Sequence, residues 1–218
     1  METQVVLSVL FTVLCLYSSH AILTVAASPD PTTPEANGTD YIRSSCGATL
    51  YPEVCYTSLS RYASAVQQSP GRLARLAVGV SLSKARRMAA YVSNLSREAD
   101  YGADRRAAAA VHDCFSNFAD AVDEITGSLK QMRRLGGGGS SSSAAAVPMT
   151  AESFQFGMSN VQTWMSAALT DEETCTDGFE DVEDGPVKAE VCNRAAVVKK
   201  FTSNALALVN TYAAKGMP

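Results

Sequence analysis

Acidic residues recur at helical spacing in two places along this chain, and each group contains a cysteine. Asp113, Ser116, Asp120 and Asp123 are separated by steps of three, four and three, which puts them on one stripe of a helix with Cys114 beside it. Asp171, Glu172, Glu173, Thr174 and Asp177 surround Cys175. Carboxylates in this arrangement can do acid–base work in a concave pocket, present a charged face to a partner, or simply be solvated. Catalysis lacks its usual parts. Beyond residue 27 the chain has a single histidine, His112, and no motif sets a serine or cysteine nucleophile beside a base. The glycines at 136–139 neither follow a strand nor precede Lys-Ser/Thr, which argues against a phosphate loop. Cys46 and Cys55 have no further ligands at zinc spacing. No catalytic residue, metal or cofactor is expected, and the chain is read as a non-enzyme.

The elements that must position these acids are helices. With 218 residues, 46% hydrophobic and 7% aromatic, the chain can bury one core, and it lacks the period-two runs of strands. After Ser69-Pro70-Gly71, a first long helix carries Leu73, Leu76, Val80, Met88, Tyr91, Val92 and Leu95 on one face, with Lys84 interrupting it. A second, capped by Asp104, carries Ala108, Val111, Phe115, Phe118, Val122, Ile125, Leu129 and Met132 at steps alternating three and four. Thr150 caps a third, whose seam is Phe154, Met158, Val161, Met165, Ala168, Cys175 and Phe179, broken once by Glu172. Pro186 opens a fourth with Val191, Ala195, Val198, Thr202, Ala205, Val209 and Tyr212 facing inward. Residues 135–148 read as a flexible Gly/Ser/Ala linker between the second and third. The fold class is all-α, an up-down-up-down four-helix bundle.

Ahead of the bundle, residues 5–17 are an almost unbroken apolar run, and Val25-Ala26-Ala27 suits cleavage before Ser28. Residues 1–27 therefore read as a signal peptide, although residues 1–4 carry no Lys or Arg. The run is short for a membrane anchor, and no membrane association is expected of the mature form. Residues 28–40, with Pro29, Pro31 and Pro34, are expected to be a lead-in without structure, and the helical domain to span 41–214. Cys46 and Cys55 bracket the Tyr51-Pro52 break between two short helical segments, a hairpin stapled at its mouth.

Loss of the leader removes Glu2 and no base, so the formal charge of −4 becomes −3. A mildly acidic chain is a poor nucleic-acid partner. The basic pairs Arg86-Arg87, Arg105-Arg106, Arg133-Arg134 and Lys199-Lys200 fall on separate segments and read as solvated decoration, not as one groove. Asn37-Gly38-Thr39 and Asn94-Leu95-Ser96 are N-glycosylation sequons. Five cysteines remain after Cys15 leaves with the leader, so one stays unpaired. Folding the second and third helices back about residue 142 brings Cys114 opposite the neighbourhood of Cys175. The next turn also brings Cys175 opposite Cys192, and spacing leaves both pairings open.

Several stretches resemble the plant invertase and pectin methylesterase inhibitor family, in the family's order, over about residues 41–212. They are Cys46-x-x-Thr49-x-Tyr51-Pro52-x-x-Cys55-x-x-Ser58-Leu59, Asp113-Cys114 with Phe118-Ala119-Asp120-Ala121-Val122-Asp123, Trp164-Met165-Ser166-Ala167-Ala168-Leu169-Thr170 with Thr174-Cys175-x-Asp177-x-Phe179, and Ser203-Asn204-Ala205-Leu206-Ala207. The resemblance implies a secreted, apoplastic or cell-wall inhibitor with bridges Cys46–Cys55 and Cys114–Cys175 and Cys192 as the free thiol. It further implies a monomer that binds pectin methylesterase one to one, covering the substrate cleft, with the complex favoured at acidic pH. The family's contact positions fall on Asp120, Asp123, Thr174 and Asp177, and a further family acid falls on Ser116, a departure that bears on contact strength. The invertase-directed branch carries Pro-Lys-Phe where this chain reads Pro148-Met149-Thr150, which favours a methylesterase target over invertase. A secreted helical ligand-binding module is the alternative from another class, and it would require a cavity among the seam residues.

Overall fold

A computed structural model describes residues 34–98, 104–136 and 149–216. The signal peptide read at 1–27 and most of the linker, 137–148, lie outside the described residues. Among those described, the elements are α1 (Pro34–Gly47), α2 (Pro52–Leu59), a 3-10 turn (Ser60–Tyr62), α3 (Ala63–Val66), α4 (Pro70–Glu98), α5 (Arg105–Leu135), α6 (Ala151–Asp177) and α7 (Pro186–Lys215). No strand occurs among the described residues. The long helices α4 to α7 each pack against their neighbours in sequence, and α7 closes the ring against α4. That is an up-down-up-down four-helix bundle with an N-terminal helical hairpin.

Sequence rules explain the helix starts. Asp104 accepts hydrogen bonds from the N–H groups of Arg106 and Ala107, both 3.0 Å, and so caps α5. Thr150 and Ser153 form a reciprocal capping box at α6. Pro52 and Pro186 sit in the first turns of α2 and α7, where a missing N–H costs nothing.

One N-terminal boundary corrects the sequence reading. Helix α1 begins at Pro34, inside the lead-in expected to lack structure. Two residues account for it. Ile42 is fully buried, and Gly38 lies so close to Ala63 that an added Cβ would sit 2.6 Å from the Ala63 carbonyl oxygen. The proline-rich composition of 28–40 signalled a loop, but α1 is held by packing, not by propensity. The hairpin is bridged Cys46–Cys55. Its turn is clamped to the bundle by Asn204 of α7, whose Oδ1 accepts from Tyr51 N–H at 3.1 Å and whose Nδ2 donates to Tyr51 O at 2.9 Å. Asn204 is 3% exposed, so these two bonds satisfy a side chain that water cannot reach.

Within the bundle, α6 and α7 bury the residues their seams predicted, whereas α4 and α5 bury only part of theirs, Leu73, Met88 and Val92 in α4 and Val111, Phe118, Ile125 and Met132 in α5, and are rotated slightly from the expected face. Ala74, Val78, Ser81, Leu82 and Ala85 form the buried face of α4, while Leu76, Val80, Tyr91 and Leu95 are only half-buried. In α5 the fully covered positions include Ala107, Ala110, Cys114, Ala121 and Ser128, and the larger Phe115, Val122 and Leu129 lie at the rim. Small residues between buried large ones such as Leu73, Phe118 and Ile125 let the helix axes approach, and the half-buried large ones fill the flanking grooves.

Glu172 is the second correction. Grouped from sequence with the surface acids, it is instead completely buried. Thr202 of α7 donates to its Oε1 at 2.7 Å, and Ser81 of α4 is 2.8 Å from Thr202, a chain of three side chains joining three helices. Because the Thr202 hydroxyl hydrogen goes to Glu172, Ser81 is the donor to Thr202. Burial pushes the carboxyl up to about 8; the Thr202 hydrogen bond and Lys199 oppose the shift, and Asp171 adds to it. Glu172 is thus a neutral acid at mildly acidic pH, and Oε2, which accepts no hydrogen bond, is where the proton belongs.

Two outcomes check this account. Replacing Asn204 by Ala strands the Tyr51 backbone groups and should lower stability by about 1–3 kcal/mol, read in urea melts, with the hairpin becoming the first site of proteolysis. Glu172 has a folded-state value raised above its unfolded one, so the stability it allows is complete below the ordinary carboxylate range and is lost as pH rises through about 8. Thermal melts should therefore fall between pH 5 and 8.5 in the wild type and flatten in Glu172→Gln; parallel curves would refute the buried neutral acid.

Candidate functional site

The acids of α5 and α6 form a face because a covalent bond brings their helices together. Cys114 and Cys175 are bridged with their Cα atoms 4.2 Å apart, at the end of the bundle where α5 starts and α6 finishes. Antiparallel packing then sets Asp120 and Asp123, one to three turns along α5, beside the last turns of α6. Asp113, Ser116, Asp120 and Asp123 are all exposed, as are Glu173, Thr174 and Asp177. His112 and Asp113 approach to 3.9 Å in the open, where such a pair is worth little. Thr174 donates its hydroxyl hydrogen to Thr170 O at 2.9 Å, leaving the oxygen's lone pairs outward.

Not every predicted acid stays on this face. Glu173 accepts from Lys199 of α7 at 2.9 Å and is turned to that side, its charge compensated. Glu172 lies inside. The remaining acids are badly placed for helix stability: the last turn of α6 holds no base, and Asp177 stands at the negative end of the helix dipole. These acids contribute nothing to the stability of their own helix end.

At the junction of the two helices lies a residue the sequence reading passed over. Glu124, half-buried one turn beyond Asp120, is in hydrogen-bond contact with Asp171 of α6. Burial and then the charge of Asp171 raise Glu124 to about 7, with Asp120 adding to the shift. Asp171 is raised as well by its own burial and by Asp120, while the Glu124 hydrogen bond pulls it down. Oε2 of Glu124 is buried and has no hydrogen-bond partner. Two carboxyls so placed resist ionising together, and a proton on Glu124 removes a like-charge repulsion from the α5–α6 seam. The signal available in sequence was the i, i+4 relation of Asp120 to Glu124.

The arrangement suits recognition, not turnover. A groove of about 710 Å³ where α4, α5 and α7 meet the N-terminal hairpin lies elsewhere, lined by residues such as Leu76, Leu129 and Phe201, and includes none of the acids. Among the described residues, no group of three His, Cys, Asp or Glu side chains is placed to hold a metal ion. Cys192, the unpaired thiol, is half-buried, and burial raises it above the usual thiol range, so it is not an activated nucleophile.

Known proteins share both the sequence and the fold. The profile described as plant invertase/pectin methylesterase inhibitor matches residues 40–208. The 21 kDa protein of Daucus carota is 39% identical over 201 residues, covering 92% of this chain and 94% of that protein. Pectinesterase inhibitor 11 of Arabidopsis thaliana is 38% identical over 209 residues, covering 95% of this chain and 98% of its own. A crystal structure of a mutant form of a pectin methylesterase inhibitor from Arabidopsis superposes with a TM-score of 0.56 at 18% identity, covering 76% of this chain and 92% of that one, which supports the fold alone. With the profile spanning most of its length and full-length relatives well above 30% identity, this chain belongs to the plant invertase/pectin methylesterase inhibitor family.

Proposed function

We propose that this protein is a secreted inhibitor of pectin methylesterase and not itself an enzyme. The observation that carries the reading is the near full-length relation to Pectinesterase inhibitor 11, joined to an exposed acidic face held in place by Cys114–Cys175. On this reading Ser116, Asp120, Asp123, Thr174 and Asp177 meet the enzyme and cover its pectin-binding cleft in a one-to-one complex. Inhibition is occlusion. The uncharged Ser116 gives the stripe one carboxylate fewer than the family pattern and tunes contact strength. The apolar leader, two disulfides and the exposed asparagines of both sequons, Asn37 and Asn94, suit export to the cell wall. Among the described residues no helix is long and apolar enough to cross a membrane.

Titration of the purified, oxidised protein against a plant pectin methylesterase and a cell-wall invertase at mildly acidic pH tests this. Methylesterase activity should fall to a plateau near one inhibitor per enzyme, with invertase untouched; invertase loss alone would move the protein to the other branch. The double variant Asp120→Lys/Asp177→Lys should fold normally and inhibit on the order of tenfold less well. An unchanged inhibition curve would place the contact face elsewhere.

The Glu124–Asp171 pair adds a pH dependence. With Glu124 raised to about 7, the favourable state of the α5–α6 seam is complete below the ordinary carboxylate range and fades as pH climbs through 7. Inhibition should weaken over that interval, and Glu124→Gln, which keeps a hydrogen bond to Asp171 without a titratable proton, should shallow the decline. A profile identical to wild type would remove the pair from the mechanism.

A further inference from the structure

Seven cations of this acidic protein line two adjoining depressions and do not decorate separate faces. Arg61, Arg75, Lys84, Arg87 and Arg133 line the groove of about 710 Å³ where α4, α5 and α7 meet the N-terminal hairpin, and no carboxylate lines it. A second trough of about 570 Å³ shares Gly79, Ser83, Arg87, Leu129 and Arg133 with the first and adds Arg86 and Lys130, so the two are one continuous depression. Seven of the chain's 18 lysines and arginines thus converge on one surface of a protein whose formal charge is −4.

No carboxylate among the described residues lies within ion-pair distance of them. Among the described residues the ion pairs are made by His112, Lys188, Arg194 and Lys199, and none of the seven groove cations takes part. What holds them in place is neutral: Arg87 donates to Ser83 Oγ at 3.1 Å, Arg86 reaches Thr126, and Lys84 lies 4.5 Å from the Phe201 ring centre. The floor is apolar, built from Leu76, Val80, Leu129 and Phe201. Gly79, in the middle of α4, opens onto it with nothing within 4 Å of an added Cβ. A glycine inside a helix is unfavourable and here relieves no internal crowding, so its effect is to widen the groove.

We propose that this groove binds a linear polyuronate, the carboxylate polymer that pectin becomes on de-esterification. Arg75 and Arg87 are separated by twelve residues, about 18 Å along the helix, with Arg133 on the opposite wall, a layout for charges repeated along an extended chain. Guanidinium groups match carboxylates two bonds at a time, and the apolar floor suits the C–H faces of pyranose rings, as aromatic side chains do. The groove lies on α4, diagonally across the bundle from α6, so a chain held there leaves the acidic α5–α6 face free. Naming the polyanion as a polyuronate rests on the pectin methylesterase reading; the groove and its charge do not.

The test uses the intact protein with no enzyme present. Titration calorimetry at low salt compares a fully de-esterified oligogalacturonide, the same oligomer fully methyl-esterified, and poly-glutamate. The de-esterified oligomer should bind, its affinity should fall about tenfold or more with Arg87→Gln/Arg133→Gln and with added salt, and the methyl ester should not bind. Asp120→Lys, on the other face, should leave binding unchanged, and the groove variant should retain inhibition. Absence of binding, equal binding by the groove variant, or an effect of Asp120→Lys as strong as that of the groove variant would overturn the proposal. Equal affinity for poly-glutamate would overturn it in favour of an acidic protein segment. Failure to inhibit methylesterase with binding intact would instead count against the functional reading alone.

Discussion

The structure depends most on the Cys114–Cys175 bridge, because it converts two local acidic sequences into a single surface. Each group of acids alone is an ordinary helix face. With the Cα atoms of the two cysteines 4.2 Å apart, α5 and α6 cannot slide or rotate past one another, and Asp120, Asp123, Thr174 and Asp177 are held in a common frame. The loop it closes, 61 residues in separation, is worth about 4 kcal/mol in the chain-entropy model, a substantial part of a typical domain's stability. It also spans the 137–148 segment, which consists of Gly, Ser, Ala, Val and Pro. A surface meant to meet a partner is better kept rigid before it binds, since ordering then costs less on association.

Protons complete what the bridge begins. Glu124 and Asp171 face each other across the same seam, and Glu172 sits one residue further on in the core, held by Thr202. All three are raised mainly by burial, and all three are least troublesome to the fold when protons are available. An acidic compartment therefore supports the fold and the acidic face together. Lys199 links the two layers: it pairs with Glu173 at the surface and also pulls the buried Glu172 back toward ionisation. The buried chain from Ser81 through Thr202 to Glu172 fixes the rotation of three helices with few atoms, where an apolar seam would tolerate several registers.

The parts of this molecule that were legible in sequence are those set by period and punctuation. Asp104, Thr150 and Pro186 mark helix starts by local chemistry that needs no partner, and the seams of α6 and α7 read directly because the three-four period runs through their small inward positions, Ala168, Ala195 and Ala205, as well as their large ones. In α4 and α5 the buried stripe mixes readable residues such as Leu73, Val111, Phe118 and Ile125 with Ala, Ser and Cys, which carry little hydrophobic signal, so period alone drew in Leu76, Phe115 and Leu129 from the rim. The beginning of α1 was hidden for a related reason: Gly38 and Ile42 matter only through Ala63 and the hairpin they meet. Glu172 was the hardest to place, since a carboxylate in a seam reads as a break, and only Thr202, thirty residues away, makes it a core residue.

Net charge was the least informative quantity of all, and the reason is spatial. An overall −4 suggests a uniformly acidic surface, yet the acids gather at the α5–α6 seam while seven cations gather between α4, α5 and α7. Dispersal along the chain did not mean dispersal in space, because antiparallel helices bring Arg87 and Arg133 to one groove as surely as they bring Asp120 and Asp171 to one face. Helix α5 carries both, with Asp120 and Glu124 toward α6 and Lys130 and Arg133 toward α4. Opposite charges kept on opposite flanks of a single helix do not neutralise one another. Had solubility been the only requirement, interspersed signs would have served it as well. The segregation leaves each flank with its full field, and a field of one sign over an apolar floor is a surface for a charged chain to lie on.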